Sequence, residues 1–194
     1  MRRILIIGAG GIGSFLIPIL NRLGVYDITA YDEDRVEIKN LSYQNFTVDD
    51  LDYPKVEAFT DMPWNDGKFQ SQAYNVLVPK QLEGYDLVVC CADNLAVRRL
   101  LYKDNCGEDS PVKWLDLRAQ GRNAALISYK IEPNMVDTVL QGPDGSFSCQ
   151  GGDWDGSGEE VNCMHMAIAG IAAQWIQKWF NKNDDVIDKM VLNI

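Results

Sequence analysis

The stretch Arg3-Ile-Leu-Ile-Ile-Gly-Ala-Gly-Gly-Ile-Gly13 joins a continuous apolar run to a cluster of glycines. An apolar, β-branched run that ends in glycine predicts a strand buried on both faces, as in a parallel sheet. Gly-x-Gly-x-x-Gly between a strand and a helix is typical of a nucleotide cradle. Gly8 allows the tight turn, Gly10 lets the backbone approach a phosphate, and Gly13 lets the helix pack close to the sheet.

The residues after the glycines predict a β-α-β unit. Apolar side chains recur at helical spacing from Ile12 to Leu23, and Gly24 ends the helix. Tyr26 to Tyr31 predicts a second strand, and two such strands joined by a helix form a parallel pair with a right-handed crossover. The N-terminus of the helix offers unpaired N–H groups to an anion.

Asp32 directly follows the second predicted strand. A carboxylate in this place can accept hydrogen bonds from both ribose hydroxyls of a nucleotide. The alternative is a tight structural turn beside an exposed acid. The glycine motif and its acid do not distinguish NAD from ATP.

The rest of the chain continues the α/β pattern. We expect a Rossmann-like, mostly parallel sheet with helices on both faces and an antiparallel extension in the second half. The expected unit is one nucleotide-binding domain over residues 1–194, with a glycine-rich loop at about 141–160. The predicted helices are 54–62, 95–103 and 163–180, and the predicted strands are 70–78, 85–91, 112–117, 123–131 and 186–192.

Composition excludes several classes of protein. The net charge of -10 argues against a nucleic-acid binder, because backbone phosphates require a basic face. No apolar stretch reaches transmembrane length, and the first strand is too short for a signal peptide. Five cysteines without a Cys-x-x-Cys pair suggest neither a disulfide framework nor a zinc site. We therefore expect a cytoplasmic protein that does not bind membranes.

Lys55 lies at the start of the predicted helix 54–62. The helix dipole disfavours a cation there, which is better explained if the lysine faces a polyphosphate. A solvated surface lysine is the alternative.

Asp93 comes just after the predicted strand 85–91. The carboxyl ends of strands are where open α/β sheets bind ligands. Its carboxylate could hold Mg²⁺ against phosphates. The alternative is that Asp93 caps the helix that begins near Leu95, a role that Asn94 could take instead.

Four motifs occur in a fixed order along the chain. They are Gly-Ala-Gly-Gly-Ile-Gly from residue 8, Asp-x-Asp-x-Val-x-x-x-Asn-Leu-x-x-Gln from residue 32, Pro-Lys from residue 54 and Cys-Ala-Asp-Asn-x-x-x-Arg from residue 91. This ordered set resembles the ThiF/MoeB/HesA family, the adenylating fold of ubiquitin-activating enzymes. The resemblance is clear from residue 3 to about residue 130 and loose at the end of the chain.

The resemblance implies ATP-dependent adenylation of a carboxylate, often the C-terminus of a ubiquitin-like protein, by a homodimer that uses Mg²⁺. An ionised carboxylate attacks the α-phosphorus without a general base, so the protein needs only to align groups and neutralise charge. By matching, the glycines line the nucleotide, Asp32 binds ribose, Asp93 binds Mg²⁺ and two further residues contact phosphates. These sets are Gly8, Gly10, Gly11 and Gly13 for the glycines, and Asn40 and Lys55 for the phosphates.

The sequence departs from the family at Tyr43, where the family usually carries an arginine. Tyrosine carries no charge, and loss of a phosphate-clamping arginine can cost orders of magnitude in rate. We also expect the family's N-terminal helical segment to be absent, because the first strand begins at residue 3. The candidate substitutes are Arg35, Arg118, Arg122, or Arg2 and Arg3 from a partner subunit.

Three other residues have two interpretations each. Cys163, at the start of the last predicted helix, resembles the reactive cysteine of some family members, since a helix N-terminus favours thiolate; a buried structural cysteine is the alternative. Arg98 has either a catalytic or a structural pairing role. His165 lies on an apolar helix, and we expect it to be packed and not catalytic.

Three functions follow from these residues. The first is a ThiF-like adenylyltransferase acting on a protein or peptide carboxylate. The second is a nucleotide-binding but catalytically degenerate subunit that binds a partner, which Tyr43 favours. The third is an NAD(P)- or FAD-dependent oxidoreductase, which Lys55 and Asp93 disfavour because they suit polyphosphate and metal.

Overall fold

The computed structural model describes residues 1–62, 68–140, 149–150, 161–181 and 186–194. Within them, seven strands form a single sheet in the order β3-β2-β1-β4-β5-β6-β7. The strands are β1 Arg2–Ile7, β2 Tyr26–Tyr31, β3 Phe69–Gln72, β4 Leu87–Cys90, β5 Trp114–Gln120, β6 Asn123–Ser128 and β7 Lys189–Asn193. The α-helices are α1 Gly13–Arg22, α2 Leu95–Tyr102, α3 Val136–Val139 and α4 Met164–Phe180.

The centre of the sheet is parallel, as the buried apolar strands predicted. Ile4 of β1 pairs with Ile28 of β2 on one side and with Leu87 of β4 on the other. β3 and β5 extend this arrangement in parallel, and β6 and β7 add two antiparallel strands at the far edge. The predicted mixed sheet is therefore confirmed.

Helices cover both faces of the sheet. One core joins α1 and α4 to the face that carries Ile4 and Ile6, and a second joins α2 to the face that carries Leu5 and Ile7. Both sets of side chains on β1 are buried, which is why the strand reads as an unbroken apolar run. α1 ends where predicted, with Gly24 at φ +67°.

The turn between β1 and α1 requires glycine at two positions. A Cβ on Gly13 would lie 1.9 Å from the carbonyl oxygen of Gly8, so no side chain fits. Gly8 has φ +94°, and its Cβ would lie 2.7 Å from the amide nitrogen of Ala92 at the end of β4. These contacts bring α1 and the β4–α2 connection against the same turn.

The predicted helix 54–62 is wrong. The structure has a single 3-10 turn, Glu57–Phe59, in place of this helix. Pro54 instead makes a bridge to Arg35, and Pro63 disfavours helix at the residue before it. The argument that placed Lys55 at a helix N-terminus therefore fails.

The predicted strand 70–78 is shortened to Phe69–Gln72. Beyond it, side chains and not a neighbouring strand satisfy the backbone: Gln81 Oε1 accepts from the amides of Leu77 and Val78. Most of the glycine-rich loop 141–160 lies outside the described residues, apart from Cys149 and Gln150. In the described part of the chain, no helix is long and apolar enough to cross a membrane.

Candidate active site

A cleft of about 410 Å³ opens at the carboxyl edge of the sheet, where β1, β2 and β4 end. Parallel strands direct their carboxyl ends to one edge, so residues far apart in the chain meet there. Seven of the eight residues predicted to bind nucleotide or metal line this cleft; Gly13 does not, because it packs beneath the turn. The seven are Gly8, Gly10, Gly11, Asp32, Asn40, Lys55 and Asp93.

Asp32 connects the end of β2 to the glycine turn. Its Oδ2 accepts a hydrogen bond from the Ala9 amide at 2.6 Å, and its Oδ1 accepts one from the Asp34 amide at 2.8 Å. Burial raises the pKa of Asp32, while the nearby Lys55 ammonium opposes this shift. Both carboxylate oxygens are thus held in place by backbone amides at the wall of the cleft.

Lys55 reaches the cleft from the loop that follows β2. Its amide donates to the Asp34 carbonyl at 2.9 Å, and its Nζ lies 2.8 Å from the Asp34 carboxylate. Only 9% of the lysine side chain is exposed. Backbone pairing between residues 34–36 and 52–55 therefore supplies the position that a helix was expected to supply.

Asn40 lies in a 3-10 turn, Ile38–Ser42, that leans over the cleft. Its Oδ1 accepts from the Glu37 amide at 2.9 Å, which fixes the buried side chain in place. Lys39, from the same turn, pairs with Glu37 at 2.7 Å on the exposed side.

Asn94, and not Asp93, takes the capping role that was considered at the end of β4. Asn94 caps α2, since its Oδ1 accepts from the Ala96 amide at 2.7 Å, and Asp93 lines the cleft. Among the described residues, no group of three or more His, Cys, Asp or Glu side chains could hold a metal unaided. One carboxylate beside a nucleotide site suits Mg²⁺, which takes one or two carboxylates and completes its shell with phosphate oxygens and water.

Cys149 is a cleft residue that sequence reasoning missed. Its Sγ packs against Gly11, and a Cβ added to that glycine would lie only 2.6 Å from the sulfur. Burial raises the pKa of the Cys149 thiol to about 11, and the Asp93 carboxylate adds to the shift. No local pattern marks this cysteine, because the cleft residues beside it, Gly11 and Asp93, lie more than 50 positions away in the sequence.

Asn75 was also missed, because it was placed inside the predicted strand 70–78. It lines the cleft beyond the end of β3, and its Nδ2 donates to Glu33 Oε1 at 3.0 Å. Its Oδ1 accepts from the Val76 amide at 2.9 Å. The signal that could have revealed it is positional, since it follows a parallel strand at the ligand-binding edge.

Comparisons with known proteins agree with this geometry. The model of the ThiF family matches residues 1–193. The chain belongs to the ThiF family.

Two relatives cover about half of the chain. The adenylyltransferase and sulfurtransferase UBA4 of Yarrowia lipolytica is 34% identical over 114 residues, 52% of this chain and 27% of its own length. Ubiquitin-like modifier-activating enzyme 5 of Drosophila willistoni is 26% identical over 133 residues, 59% of this chain and 32% of its own length. The matched part therefore spans less than a third of either relative.

A solved structure covers the whole chain. The crystal structure of E. coli MccB with ATP superimposes with a TM-score of 0.70 at 17% sequence identity, covering 100% of this chain and 60% of that chain. At this identity the likeness establishes the fold, a ThiF-type Rossmann-like sheet with antiparallel strands at one end.

Arg35, Arg118 and Arg122, the substitutes considered from the same chain, do not line the cleft as formed by the described residues. Arg35 binds the Asp52 carbonyl, and Arg118 binds Asp116. Arg2 and Arg3 lie at the opposite end of β1, stacked over Phe180 and Tyr85. Tyr43 itself is buried at the cleft, with its ring edge-on to His165 at 6.0 Å.

The described residues that line the cleft include more carboxylates than cations. Its two lysines, Lys39 and Lys55, are both paired with acids of the cleft, Glu37 and Asp34. Five carboxylates line it against these two ammonium groups: Asp32, Glu33, Asp34, Glu37 and Asp93. An anionic nucleotide would therefore need additional positive charge in this cleft.

Cys163 and His165 flank the start of α4. Cys163 is the exposed one of the five cysteines and does not line the cleft. His165 is fully buried against Phe15, with ring centroids 5.6 Å apart, which confirms that it is a packed residue. Arg98 pairs with Asp116 at 3.1 Å, which gives it a structural pairing role, one of the two roles that the sequence left open.

Proposed function

We propose that this chain binds Mg²⁺–ATP in the cleft and adenylates a carboxylate, the C-terminus of a ubiquitin-like protein or of a peptide. The observation that supports this most is the convergence of Lys55, Asp93 and the glycine turn on one cleft, although they lie on separate segments of the chain. The names of the relatives, an adenylyltransferase and a ubiquitin-like modifier-activating enzyme, agree with the same chemistry.

The order of strands suggests how ATP would lie. β4, β1 and β2 are neighbours, and they end respectively at Asp93, the glycine turn and Asp32. The ribose would bind Asp32, and the phosphates would extend over Gly10 and Gly11 towards Asp93. Mg²⁺ held by Asp93 would neutralise phosphate charge. Lys55 and Asn40, which border the same space, would contact phosphate oxygens.

The chemistry needs no general base. An oxygen of the substrate carboxylate attacks the α-phosphorus, and the bond from that phosphorus to the bridging oxygen of pyrophosphate breaks. The acyl adenylate keeps the α-phosphate, and pyrophosphate leaves with the electron pair. Catalysis then depends on alignment and on fixed positive charge, the role proposed for Lys55.

Cys163 is proposed as the acceptor in a second step. Its thiolate would attack the acyl carbonyl, form a thioester and release AMP. Exposure suits a residue that meets a large acyl group, and its place outside the cleft separates it from adenylation. Cys163→Ser should therefore retain ATP–pyrophosphate exchange while losing a thiol-sensitive adduct with the acyl substrate.

We also propose that the chain acts as a homodimer, because the cleft as described has no arginine of its own. A partner subunit could supply the missing cation. Light scattering after size-exclusion chromatography tests this, and a monomer at micromolar concentration would contradict it.

ATP–pyrophosphate exchange tests the main proposal. The protein is incubated with ATP, Mg²⁺ and labelled pyrophosphate, together with peptides that end in a free or an amidated carboxyl group. Label should return to ATP only with a free carboxyl group and only when Mg²⁺ is present. Exchange with the amidated peptides would contradict the proposed nucleophile.

Tyr43 favours a second candidate, a nucleotide-binding subunit that no longer adenylates and serves to bind a partner. This candidate predicts that ATP binds by calorimetry but that no carboxylate supports exchange. Parallel titrations of the protein with NAD and with ATP test the oxidoreductase alternative, which predicts that NAD binds more tightly than ATP.

A further inference from the structure

Asp116 is a buried charged residue that the proposed reaction does not use. It lies on β5, paired in register with Cys90 at the end of β4, and is fully buried. Its Oδ1 accepts from Arg98 Nε at 3.1 Å. Its Oδ2 accepts from Tyr102 Oη at 2.9 Å and from Arg118 Nη2 at 2.7 Å.

Stability alone explains this cluster poorly. A buried ion pair loses much hydration on folding, and well-packed apolar residues often replace such a pair at no cost. One carboxylate here is shared by two guanidinium groups, both with most of their side chains buried. What such a cluster does supply is a fixed geometry between the elements that it joins.

The element that Arg98 joins to the sheet is the first turn of α2. The Arg98 amide donates to the Asn94 carbonyl at 3.3 Å, and Asn94 caps the helix. Asp93, the proposed Mg²⁺ ligand, is the next residue towards β4 and lines the cleft. A continuous set of contacts therefore runs from Asp116 through Arg98 to the segment that carries Asp93.

We propose that Asp116 is a positioning residue for the metal site. By fixing Arg98 it fixes the first turn of α2, and through that turn it sets where the carboxylate of Asp93 stands in the cleft. This inference rests on the proposed role of Asp93 in holding Mg²⁺. Arg118, which binds the same carboxylate from β5 itself, reaches α2 at the far end of the helix, where its Nη2 lies 3.3 Å from Tyr102 Oη, and not at the first turn that follows Asp93.

The two arginines provide a matched pair of variants. Arg98→Gln removes the contact to the first turn of α2 and leaves Asp116 paired with Arg118 and Tyr102, whereas Arg118→Gln leaves the contact to that first turn intact. Binding of Mn²⁺, in the presence of a non-hydrolysable ATP analogue, is measured by electron paramagnetic resonance. Outer-sphere partners typically change metal affinity about 10-fold or more, so we expect this loss for Arg98→Gln and less than about 2-fold for Arg118→Gln.

Asp116→Asn should weaken Mn²⁺ binding as Arg98→Gln does. If Asp116→Asn fails to fold because Arg98 and Arg118 lose their counter-charge, the comparison of Arg98→Gln with Arg118→Gln still tests the proposal. On an Asp93→Asn background, Arg98→Gln should cause no further loss, because both changes act through one carboxylate. Additive losses would overturn the inference and indicate a general structural effect.

The failure of the metal role and the failure of the inference are distinguishable. Unchanged Mn²⁺ affinity in Asp93→Asn would contradict the metal role proposed for that residue. A loss in Asp93→Asn, together with equal affinities in Arg98→Gln and Arg118→Gln, would overturn only the role of Asp116.

Discussion

Lys55 Nζ lies 2.8 Å from Asp34 Oδ2, and the lysine side chain is 9% exposed whereas that of the aspartate is 64% exposed. The ammonium is therefore held from the cleft side by an acid that remains in contact with solvent. An incoming phosphate oxygen can share or replace this partner without leaving a buried carboxylate unpaired, because Asp34 can return to water. In the proposed function, the Lys55–Asp34 pair would thus hold a buried ammonium group where a phosphate oxygen of ATP can contact it.

Replacement of Lys55 tests this arrangement. Lys55→Met keeps most of the buried aliphatic volume and removes the charge. We expect ATP–pyrophosphate exchange to fall about 100- to 1000-fold, the range typical for loss of a fixed transition-state donor. Lys39→Met is the control, since Lys39 lines the same cleft but its side chain is 53% exposed. Equal losses in the two variants would show that only the net charge of the cleft matters.

The contact between Gly11 and Cys149 gives a second prediction. A methyl group on Gly11 would lie 2.6 Å from the Cys149 sulfur and 3.1 Å from its Cβ. Gly11→Ala should therefore destabilise the protein by about 1–3 kcal/mol, as overpacking does, and weaken ATP binding.

Removal of the obstructing side chain should reverse this effect. The Gly11→Ala/Cys149→Gly double variant should recover most of the lost melting temperature and ATP affinity, and Cys149→Gly alone serves as its control. Thermal unfolding with and without ATP measures both quantities. If the double variant behaves as the sum of two independent losses, the packing of Cys149 on the glycine turn is wrong.

The parts of the fold that were predictable are those set by local pattern. The apolar run before Gly8 and the helical spacing after Gly13 determine β1 and α1 from adjacent residues alone. Asp32 and Asp93 were found because each directly follows a buried strand, and parallel strands bring their carboxyl ends to one edge.

The predictions that were wrong or incomplete concern segments whose structure depends on contacts with residues distant in sequence. Residues 54–62 show apolar spacing that fits a helix, but pairing of Pro54 with Arg35 holds that segment in turns. Cys149 enters the cleft from a loop whose position no local pattern determines. Asn75 was hidden by a strand predicted too long, because the side-chain hydrogen bonds from Gln81 that end it are not visible in an alternating pattern.

Asp32 should make nucleoside binding depend on pH. Burial raises the pKa of its carboxyl group. In the proposed site, the ionised form is the one that would accept hydrogen bonds from both ribose hydroxyls. Affinity for adenosine, which carries no titrating phosphate, should therefore fall as the pH falls through this raised pKa. The fall should begin above the pH at which an exposed aspartate protonates, about 3.9.

Asp32→Asn should remove this pH dependence. It should also weaken adenosine binding about 10- to 100-fold, as expected for loss of a hydrogen bond to a charged group worth roughly 1.5–3 kcal/mol. The wild-type protein should prefer adenosine to 2′-deoxyadenosine, and the variant should not. Calorimetric titration at several pH values measures all three effects, and an unchanged preference in the variant would place the ribose elsewhere.

His165 should make the fold less stable in mild acid. The ring is fully buried between Phe15 and Tyr43, and this burial lowers its pKa, while the backbones of Tyr43 and Asn162 oppose the shift. The unfolded chain takes up a proton below about pH 6.5 while the folded chain resists it, so protonation favours unfolding. The free energy of unfolding should thus fall below pH 6.5, by at most about 1.4 kcal/mol per pH unit, and stay level above it.

Because His165 is the one histidine of the chain, both the group and its effect can be followed without ambiguity. The ring C–H resonance in proton NMR should titrate with a midpoint below 6.5, and urea unfolding at pH 5.5 and 7.5 should show the loss of stability. His165→Leu keeps an apolar side chain in the site and should give the same unfolding free energy at both pH values, apart from the contribution of carboxylates. A midpoint above 6.5 would mean that a group facing this ring favours its charged form. An equal loss of stability in the variant would mean that another group, and not His165, makes the fold sensitive to acid.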